Sequence, residues 1–284
     1  STLAFLGGSN MWIICWKYHI ASATFYNILW TTVKVINEEI AFEGLPLNDR
    51  DKLNDLSKGM NGLSGGVLEG CIGAIDGVAI KIRKPKFVMN PVHYYNRKGF
   101  FSINMQCVCD ADMIITFFSL KTCGSTHDSL AFEVTGLKRK MDEGEIPDGF
   151  YLVGDDAYKN DEQMLCPYSG KNLPADKSNF NYYCSKMRCV IERTFGIFFL
   201  RFQIFQRHLC MEPSKVKEIV RCCVRLHNIC MRESKRERER TLSGCNSYME
   251  QEYVAEELET RNNDSALRTR LVQAVRDGGW VRAT

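Results

Sequence analysis

The sequence lacks any apolar run of 18 or more residues, so it predicts no membrane span and no membrane partner. The apolar stretch Trp12–Trp16 is followed at once by Lys17. A secretory signal is also absent from the first residues. Charge of one sign is scarce, since the formal net charge is only +3. Any surface that binds nucleic acid is therefore expected to be local.

Zinc-binding and disulfide patterns are missing as well, although the chain has 13 cysteines. An odd count with scattered spacing argues against a disulfide framework and for a reducing compartment. Structural zinc sites usually show two separated ligand pairs, and no such pattern occurs here. Cys222, Cys223 and Cys230 stand near His227 in an apolar helical stretch, where cysteine usually acts as a small hydrophobic residue.

What is present is a chain of 284 residues with 45% hydrophobic and 25% charged residues, typical of a globular domain with a small appendage. A helix already under way at Thr2–Phe5 suggests that the sequence begins inside a longer chain. We divide it into a helical segment (1–45), a glycine-rich linker (46–70), a main domain (71–231), and a charged connector with a C-terminal helix (232–284).

The first segment has the pattern of a helix-turn-helix. A helix is predicted over residues 10–18, a turn over 19–21, and a second helix over 23–40 with Ser22 as its N-cap. Phe25, Ile28, Leu29, Thr32 and Ile36 are expected on its inner face. Two interpretations stay open, a DNA-reading motif and a helical hairpin used only for packing.

The main domain alternates strands and helices in a way that predicts an α/β fold. Strands are expected at Cys71–Ile75, Val78–Ile82, Ser102–Cys109, Ile114–Lys121 and Phe150–Val153, with a hairpin turn at Asp110-Ala111-Asp112. Helices are expected at His127–Lys140, capped by Ser125 or Thr126, and over 180–204, 214–231 and 265–274. This order indicates a mixed sheet flanked by helices.

Three acids stand where a carboxylate is costly. Asp76 and Asp155 each close an apolar strand, and Glu192 lies inside a strongly apolar helix. Converging carboxylates repel one another unless a divalent cation neutralises them. Mg²⁺ prefers such oxygen ligands, and a pair of ions can clamp a phosphodiester during in-line displacement. The three acids are therefore suited to cutting a phosphate backbone.

Seven stretches in order extend this pattern over residues 70–230. They are Gly73-Ala74-Ile75-Asp76-Gly77, Tyr95-Asn96-Arg97-Lys98-Gly99, Cys109-Asp110, Gly124-Ser125-Thr126-His127-Asp128-Ser129, Val153-Gly154-Asp155, Val190-Ile191-Glu192-Arg193-Thr194-Phe195-Gly196 and Leu226-His227-Asn228. Together they resemble the PIF/Harbinger-type transposases, a group of DDE nucleases with a ribonuclease H-like fold.

The resemblance implies a function and its components. Asp76, Asp155 and Glu192 would be the DDE triad of a DNA endonuclease or transposase, holding two Mg²⁺ ions, or Mn²⁺ in their place. The enzyme would cut double-stranded DNA and could also transfer strands. The family implies a homodimer on DNA, a separate Myb-like DNA-binding partner, and a nuclear location with a cytoplasmic pool.

Several neighbouring residues have open roles. Asp156 follows Asp155 where the family usually has a small residue, so it could be an outer ligand. His127 could approach the metal site as an accessory group. Asp128 is read as a helix-start residue favoured by the helix dipole, with Thr126 capping. His227-Asn228 is read as a buried pair that ties a helix to the sheet.

Cationic residues near the acids are candidates for DNA contact. Arg97 and Lys98 lie on a predicted turn, and Lys81, Arg83, Lys84 and Lys86 alternate along a strand end as one exposed face. Arg193 follows Glu192 and could touch DNA. Arg188 stands one helical turn before Glu192, where an ion pair would compete with metal binding, so we expect it to face DNA or solvent.

Two other functions remain possible at this point. A domesticated DNA- or chromatin-binding protein could keep the fold without cutting, although the intact triad argues against it. A ribonuclease H-like enzyme acting on RNA hybrids is the second, and the helix-turn-helix candidate favours duplex DNA over it.

Overall fold

The computed structural model describes residues 1–242 and 265–278, and the side chains of residues 1–237 and 265–278. Most of the predicted connector (241–263) lies outside these described residues. Within the described part, no helix combines the length and the apolarity that a membrane span needs.

A five-stranded mixed sheet forms the centre of the molecule, in the order β3-β2-β1-β4-β5. β2 pairs antiparallel with both β1 and β3, whereas β4 runs parallel to β1 and to β5. The strands are β1 (Cys71–Lys81), β2 (Ser102–Cys109), β3 (Ile115–Cys123), β4 (Tyr151–Val153) and β5 (Met164–Leu165). The predicted ribonuclease H-like mixed sheet is therefore confirmed, although the first two predicted strands are one and the two-residue β5 was not predicted.

Helices cover both faces of this sheet. In the described residues they are α1 (Thr2–Leu6), α2 (Met11–Tyr18), α3 (Ser22–Glu39), α4 (Arg50–Leu63), α5 (Asp128–Glu133), α6 (Gly136–Asp142), α7 (Ala175–Arg201), α8 (Pro213–Leu242) and α9 (Ala266–Asp277). The core on one face includes side chains of α3, α7, α8 and α9, and a second core includes side chains of α4, α5 and α6.

The predicted linker over 46–70 is wrong in its centre, because α4 occupies it. Asp49 caps this helix by accepting a hydrogen bond from the Lys52 amide at 3.1 Å. Leu53 and Met60 are fully buried, and the helix packs against β1. Gly59 and Gly62 concealed the helical period, since packing here outweighs their low helix propensity.

The predicted crossover helix is in fact two short helices. Its first part begins after His127, which has no side-chain capping bond, so neither Ser125 nor Thr126 is the N-cap. The Thr135 hydroxyl accepts a hydrogen bond from the Lys138 amide at 3.1 Å and starts α6. A new cap followed by Gly136 favours a break at this point over a continuous helix.

The N-terminal helices resemble a packing hairpin more than a DNA-reading motif. Ala21, not Ser22, is the N-cap of α3, and the buried residues of this helix are Phe25, Leu29 and Val33. Of the predicted inner residues, Ile28 is 38% exposed. Lys34, the only cation of α3, lies 3.9 Å from Glu38, so the helix has no excess positive charge. A helix that approaches phosphates would be expected to have one.

The C-terminal helix α9 belongs to the same core as the sheet domain. Leu267, Leu271 and Val275 are buried, and α9 packs on α7. The Arg268 guanidinium is also buried and donates a 2.9 Å hydrogen bond to the Cys166 carbonyl. The predicted division at residue 232 therefore does not separate the C-terminal helix from the main domain.

Candidate active site

Asp76 and Asp155 come from adjacent parallel strands at the same level of the sheet. Ala74 of β1 is paired with Val153 of β4, and each aspartate lies two residues further along its chain. Because side chains two apart on an extended strand share a face, both carboxylates belong to the face of Ala74 and Val153. The β1–β4 pairing therefore juxtaposes two of the three predicted acids.

Burial and nearby negative charge make both carboxylates harder to ionise. Burial, followed by the negative charge of Asp155, raises the pKa of Asp76 to about 7. Burial also raises the pKa of Asp155, although a hydrogen bond from the Ala157 amide at 3.0 Å opposes this. A cation bound between the two carboxylates would favour the ionised form of both.

Asp156 differs from Asp155 in its environment. Its side chain is exposed, whereas Asp155 is partly buried beside the strand end. The charge of Asp156 contributes to the raised pKa of Asp155. The arrangement favours Asp155 as the second acid of the triad and leaves Asp156 at the rim.

Glu192 lies on α7 and is engaged in an ion pair. Arg188 Nη1 is 2.9 Å from Glu192 Oε1, so the expectation that Arg188 faces only DNA or solvent is wrong. The Glu192 side chain is 51% exposed. The charge of Arg188 also lowers the pKa of both Asp76 and Asp155. A single guanidinium therefore neutralises part of the charge of all three predicted acids.

These donors suit a hard divalent cation, since all three are carboxylates. In Asp76 and Asp155 the ionised form is disfavoured by burial and by nearby negative charge, so a bound cation would stabilise it. Their present arrangement is more open than a formed metal centre. Among the described residues, no three Asp, Glu, His or Cys side chains are grouped closely enough to hold a metal ion. The third carboxylate, Glu192, is paired instead with a cation of the chain itself, Arg188.

A third aspartate, Asp128, lies beneath β1 on the opposite face. Its Oδ1 accepts hydrogen bonds from Asn104 Nδ2 at 2.8 Å and from Gln106 Nε2 at 2.9 Å. The Tyr158 hydroxyl donates to Gln106 Oε1 at 2.7 Å and closes the network. A Cβ at Gly77 would overlap Asp128 Oδ1, which explains the glycine after Asp76.

This network was largely missed from the sequence. Asp128 does lie in the first turn of α5 as predicted, but Thr126 does not cap it. Its charge raises the pKa of both Asp76 and Asp155. The signal was available, because Ser102, Asn104 and Gln106 alternate along an otherwise apolar strand and so share one face. His127, next to Asp128, is exposed, and its accessory role stays a prediction.

The cationic candidates lie near the end of β1 and on α7. Buried Asn96 shapes the predicted turn, since its Oδ1 accepts the amide of Lys98 at 2.9 Å and its Nδ2 donates to Ser102 Oγ at 2.8 Å. Arg97 and Lys98 are thereby presented to solvent. Lys81 is half-buried, with its ammonium 5.3 Å from the Phe100 ring centre. The remaining exposed candidates are Arg83, Lys84, Lys86 and Arg193.

The His227-Asn228 pair ties α8 to the sheet, as predicted. His227 Nε2 lies 2.9 Å from the Met113 carbonyl, and Arg201 Nη1 lies 3.1 Å from His227 Nδ1. Burial lowers the pKa of His227 to about 4, so the ring is neutral and donates to Met113. Asn228 bonds both the amide and the carbonyl of Ile115. The cysteines of the described part are free thiols, mostly buried.

Known proteins are similar in sequence to the part of the chain that contains the candidate acids. Residues 75–228 match the family model described as DDE superfamily endonuclease, a range that contains Asp76, Asp155, Glu192 and the His227-Asn228 pair. The chain is 28% identical over 184 residues to "Putative nuclease HARBI1" of Rattus norvegicus and 27% identical to the Homo sapiens protein of the same name. In both cases 64% of this chain is covered, and the chain spans about half (51%) of the relative. No solved structure matches.

Proposed function

The chain belongs to the DDE superfamily endonucleases, and on that premise we propose that it cuts DNA phosphodiester bonds with Asp76, Asp155 and Glu192 as its catalytic carboxylates. The observation that carries the proposal is the pairing of Ala74 with Val153, since Asp76 and Asp155 each follow this pair by two residues. Burial, followed by the charge of Asp155, raises the pKa of Asp76 to about 7. Purely structural carboxylates would be expected to have neutralising partners of their own.

Divalent metal, Mg²⁺ or Mn²⁺ and two ions when fully loaded, would be held by Asp76 and Asp155, with Glu192 joining them. When bound, such ions make water a nucleophile at neutral pH and stabilise charge on the attacked phosphate. The carboxylates of this chain would hold and orient the ions. Release of Glu192 from Arg188, 2.9 Å away, would complete the donor set.

Arg188 and the Asp128 network would support the carboxylates in different ways. Freed from Glu192, the Arg188 guanidinium could donate to a phosphate oxygen, the geometry that arginine favours. Asp128, held by Asn104 and Gln106, places a carboxylate charge beneath β1. That charge raises the pKa of both metal-site aspartates, so it strengthens their demand for a cation.

Cationic side chains around the acids would bind the phosphates of double-stranded DNA. The candidates are Arg97 and Lys98 on the turn, Lys81 and Arg83 at the end of β1, and Arg193 beside Glu192. Phosphate contacts of this type position DNA without reading its sequence. A homodimer on DNA, a Myb-like partner for sequence choice, strand transfer, and a nuclear location with a cytoplasmic pool belong to this proposal through the family resemblance.

A second candidate function is supported by the Arg188–Glu192 pair. If that pair persists on DNA, the protein would bind without cutting, as a domesticated DNA- or chromatin-binding protein would. A pair that opens on DNA is therefore expected of the nuclease, and a pair that persists is expected of the binding protein. A cleavage assay distinguishes the two functions.

The test is nicking of supercoiled plasmid in Mg²⁺ or Mn²⁺ by the native chain, by Asp155→Ala and by Asp156→Ala. We expect the native chain and Asp156→Ala to nick, and Asp155→Ala to lose the activity by about 10³-fold or more. Asp156→Ala is the matched control, since it removes the adjacent exposed carboxylate. Equal nicking by the native chain and Asp155→Ala, or none by any of them when a DNA-binding partner is supplied, would contradict the enzymatic function.

A further inference from the structure

The segment between β1 and β2 exposes apolar and cationic side chains side by side. Phe87 is 83% exposed and Met89 fully exposed, and they follow the exposed cations Arg83, Lys84 and Lys86. Isolated exposed apolar residues are ordinary, but an aromatic ring and a thioether at the tip of a cationic loop form a combined surface. We call residues 83–92 the tip segment.

The tip segment forms one wall of a cleft of about 630 Å³, and the start of α8 forms the other. The Arg83 amide donates to the Leu209 carbonyl at 3.0 Å, and the Leu209 amide donates to the Lys81 carbonyl at 3.1 Å. These two bonds fix the tip segment against the chain that leads into α8. Lys217 of α8 lines the cleft from the opposite wall.

The charge of this cleft is strongly one-sided. Arg83, Lys84, Lys86 and Lys217 line it together with a single acid, Glu212. Nowhere in the described part of the chain does one of these four cations form an ion pair, whereas Lys34, Lys52 and Lys58 on other helices each pair with an acid. Unpaired cations around an accessible cleft favour a polyanionic ligand.

The tip segment lies a short distance along β1 from the candidate catalytic acids. β1 continues from Asp76 to Lys81 and then enters the tip segment. Five strand residues span about 17 Å at roughly 3.3 Å each. That distance corresponds to about five base steps along one DNA strand at 3.4 Å per step. A DNA strand at the acids would therefore reach the tip segment within half a helical turn.

From these observations we propose that the tip segment and the start of α8 form a second DNA-contact surface, which holds a locally unpaired stretch of the bound DNA. Phe87 and Met89 stack on or insert between exposed bases, while the four cations hold the backbone. An aromatic ring amid cations is the arrangement by which proteins bind unstacked nucleic acid. The inference rests on the proposed function, because it needs DNA at the acids.

The experiment measures binding of the native chain by fluorescence anisotropy in EDTA, where no cleavage occurs. The probes are a labelled 30-base-pair duplex and the same duplex with a two-base mismatched bubble. We expect the native chain to bind the bubble at least about fivefold more tightly. Phe87→Ala should remove this preference while changing duplex affinity less than twofold, and Phe87→Trp should keep it, since tryptophan also stacks.

The cations are tested separately by the Lys84→Ala/Lys86→Ala double variant. It should weaken binding to both probes equally and reduce the salt slope of log K by about 2, because two phosphate contacts are lost. Lys58→Ala, which removes an exposed lysine from α4, is the control and should change neither value. A double variant with an unchanged salt slope would overturn the backbone contacts.

Native binding without a bubble preference, or a preference that survives in Phe87→Ala, would overturn the role of the apolar tip. These failures differ from failure of the proposed function, in which the native chain does not nick plasmid at all. Loss of the preference in Phe87→Ala together with nearly unchanged duplex affinity would support the inference whether or not cutting is observed. If the cleft instead binds an acidic protein, the Lys84→Ala/Lys86→Ala double variant will bind both DNA probes with unchanged affinity.

Discussion

Two regions of the sheet bury carboxylates but provide them with different hydrogen-bond partners. Burial raises the pKa of Asp76, beside Asp155, to about 7, and it raises the pKa of Asp110, at the β2–β3 turn, to about 6. Asp110 Oδ1 accepts the amides of Asp112 and Ile114, both at 2.9 Å. Among the described residues, Asp76 Oδ1 accepts a hydrogen bond only from the amide of its own neighbour, Gly77, at 2.7 Å.

A raised pKa therefore does not by itself identify a functional acid. At the turn, the carboxylate satisfies backbone donors and has Lys235 nearby, so it has a structural role. Between β1 and β4, two carboxylates repel each other and share Arg188 with Glu192. The distinguishing feature is the set of partners, because an acid with few of them stays available to a ligand.

The largest expected effect separates the two regions by activity. Asp76→Asn should lower plasmid nicking by about 10³-fold or more. It should also stabilise the metal-free protein at pH 8 by up to about 4 kcal/mol, since a carboxylate that ionises unfavourably is removed. Urea unfolding and nicking rates measure the two changes. Lost activity combined with lost stability would place Asp76 among the structural acids instead.

A comparably large change in stability is expected at the turn side of the sheet. Asn228→Ala should destabilise the fold by about 3 kcal/mol, because the buried amide and carbonyl of Ile115 lose their partner. Nicking per folded molecule should be unchanged. Thermal and urea unfolding give the stability, and Asn90→Ala, an exposed asparagine of the tip segment, serves as the control. A loss below about 0.5 kcal/mol would contradict the tie between α8 and β3.

The pH dependence of Asp110 gives a smaller effect. Its pKa in the folded protein is about 6, above the ordinary 3.8, so the folded state binds the proton more tightly. Ionisation therefore costs stability as pH rises from about 4 to 6, and the loss persists above that range. Asp110→Asn should match the native chain near pH 4 and exceed it by about 2 kcal/mol above pH 6. A variant that is less stable at every pH would show that the charge itself holds the turn.

The smallest expected effect concerns Arg188 and metal. Arg188→Gln removes the cation that competes for Glu192, so Mn²⁺ should bind about tenfold more tightly, or about 1.4 kcal/mol. Isothermal titration calorimetry or electron paramagnetic resonance of bound Mn²⁺ measures this without activity. Arg193→Gln, the neighbouring exposed arginine, is the control. Weaker Mn²⁺ binding in Arg188→Gln would mean that Arg188 orients the acids rather than competing for them.

Helices and strands with a clear local sequence pattern were predicted correctly, whereas those that depend on packing or capping were not. β2 was predicted with the bounds that the structure shows, and the helix predicted over residues 180–204 corresponds to most of α7. α4 was missed because Gly59 and Gly62 have low helix propensity and the helix is held by packing. The division between α5 and α6 was missed because it depends on capping by Thr135, which the spacing of apolar residues does not reveal.

The mixed sheet, the chain positions of Asp76 and Asp155, and membership in the DDE endonucleases all follow from the sequence alone, since strand patterns and motif order are local properties of the chain. The pairing of Ala74 with Val153, which places the two acids together, was decided by the tertiary structure. The tertiary structure also decided that Glu192 pairs with Arg188 and that Asn104, Gln106 and Tyr158 support Asp128. These contacts join residues far apart in sequence or choose among competing charges, and their free energies depend on burial, which no local pattern specifies.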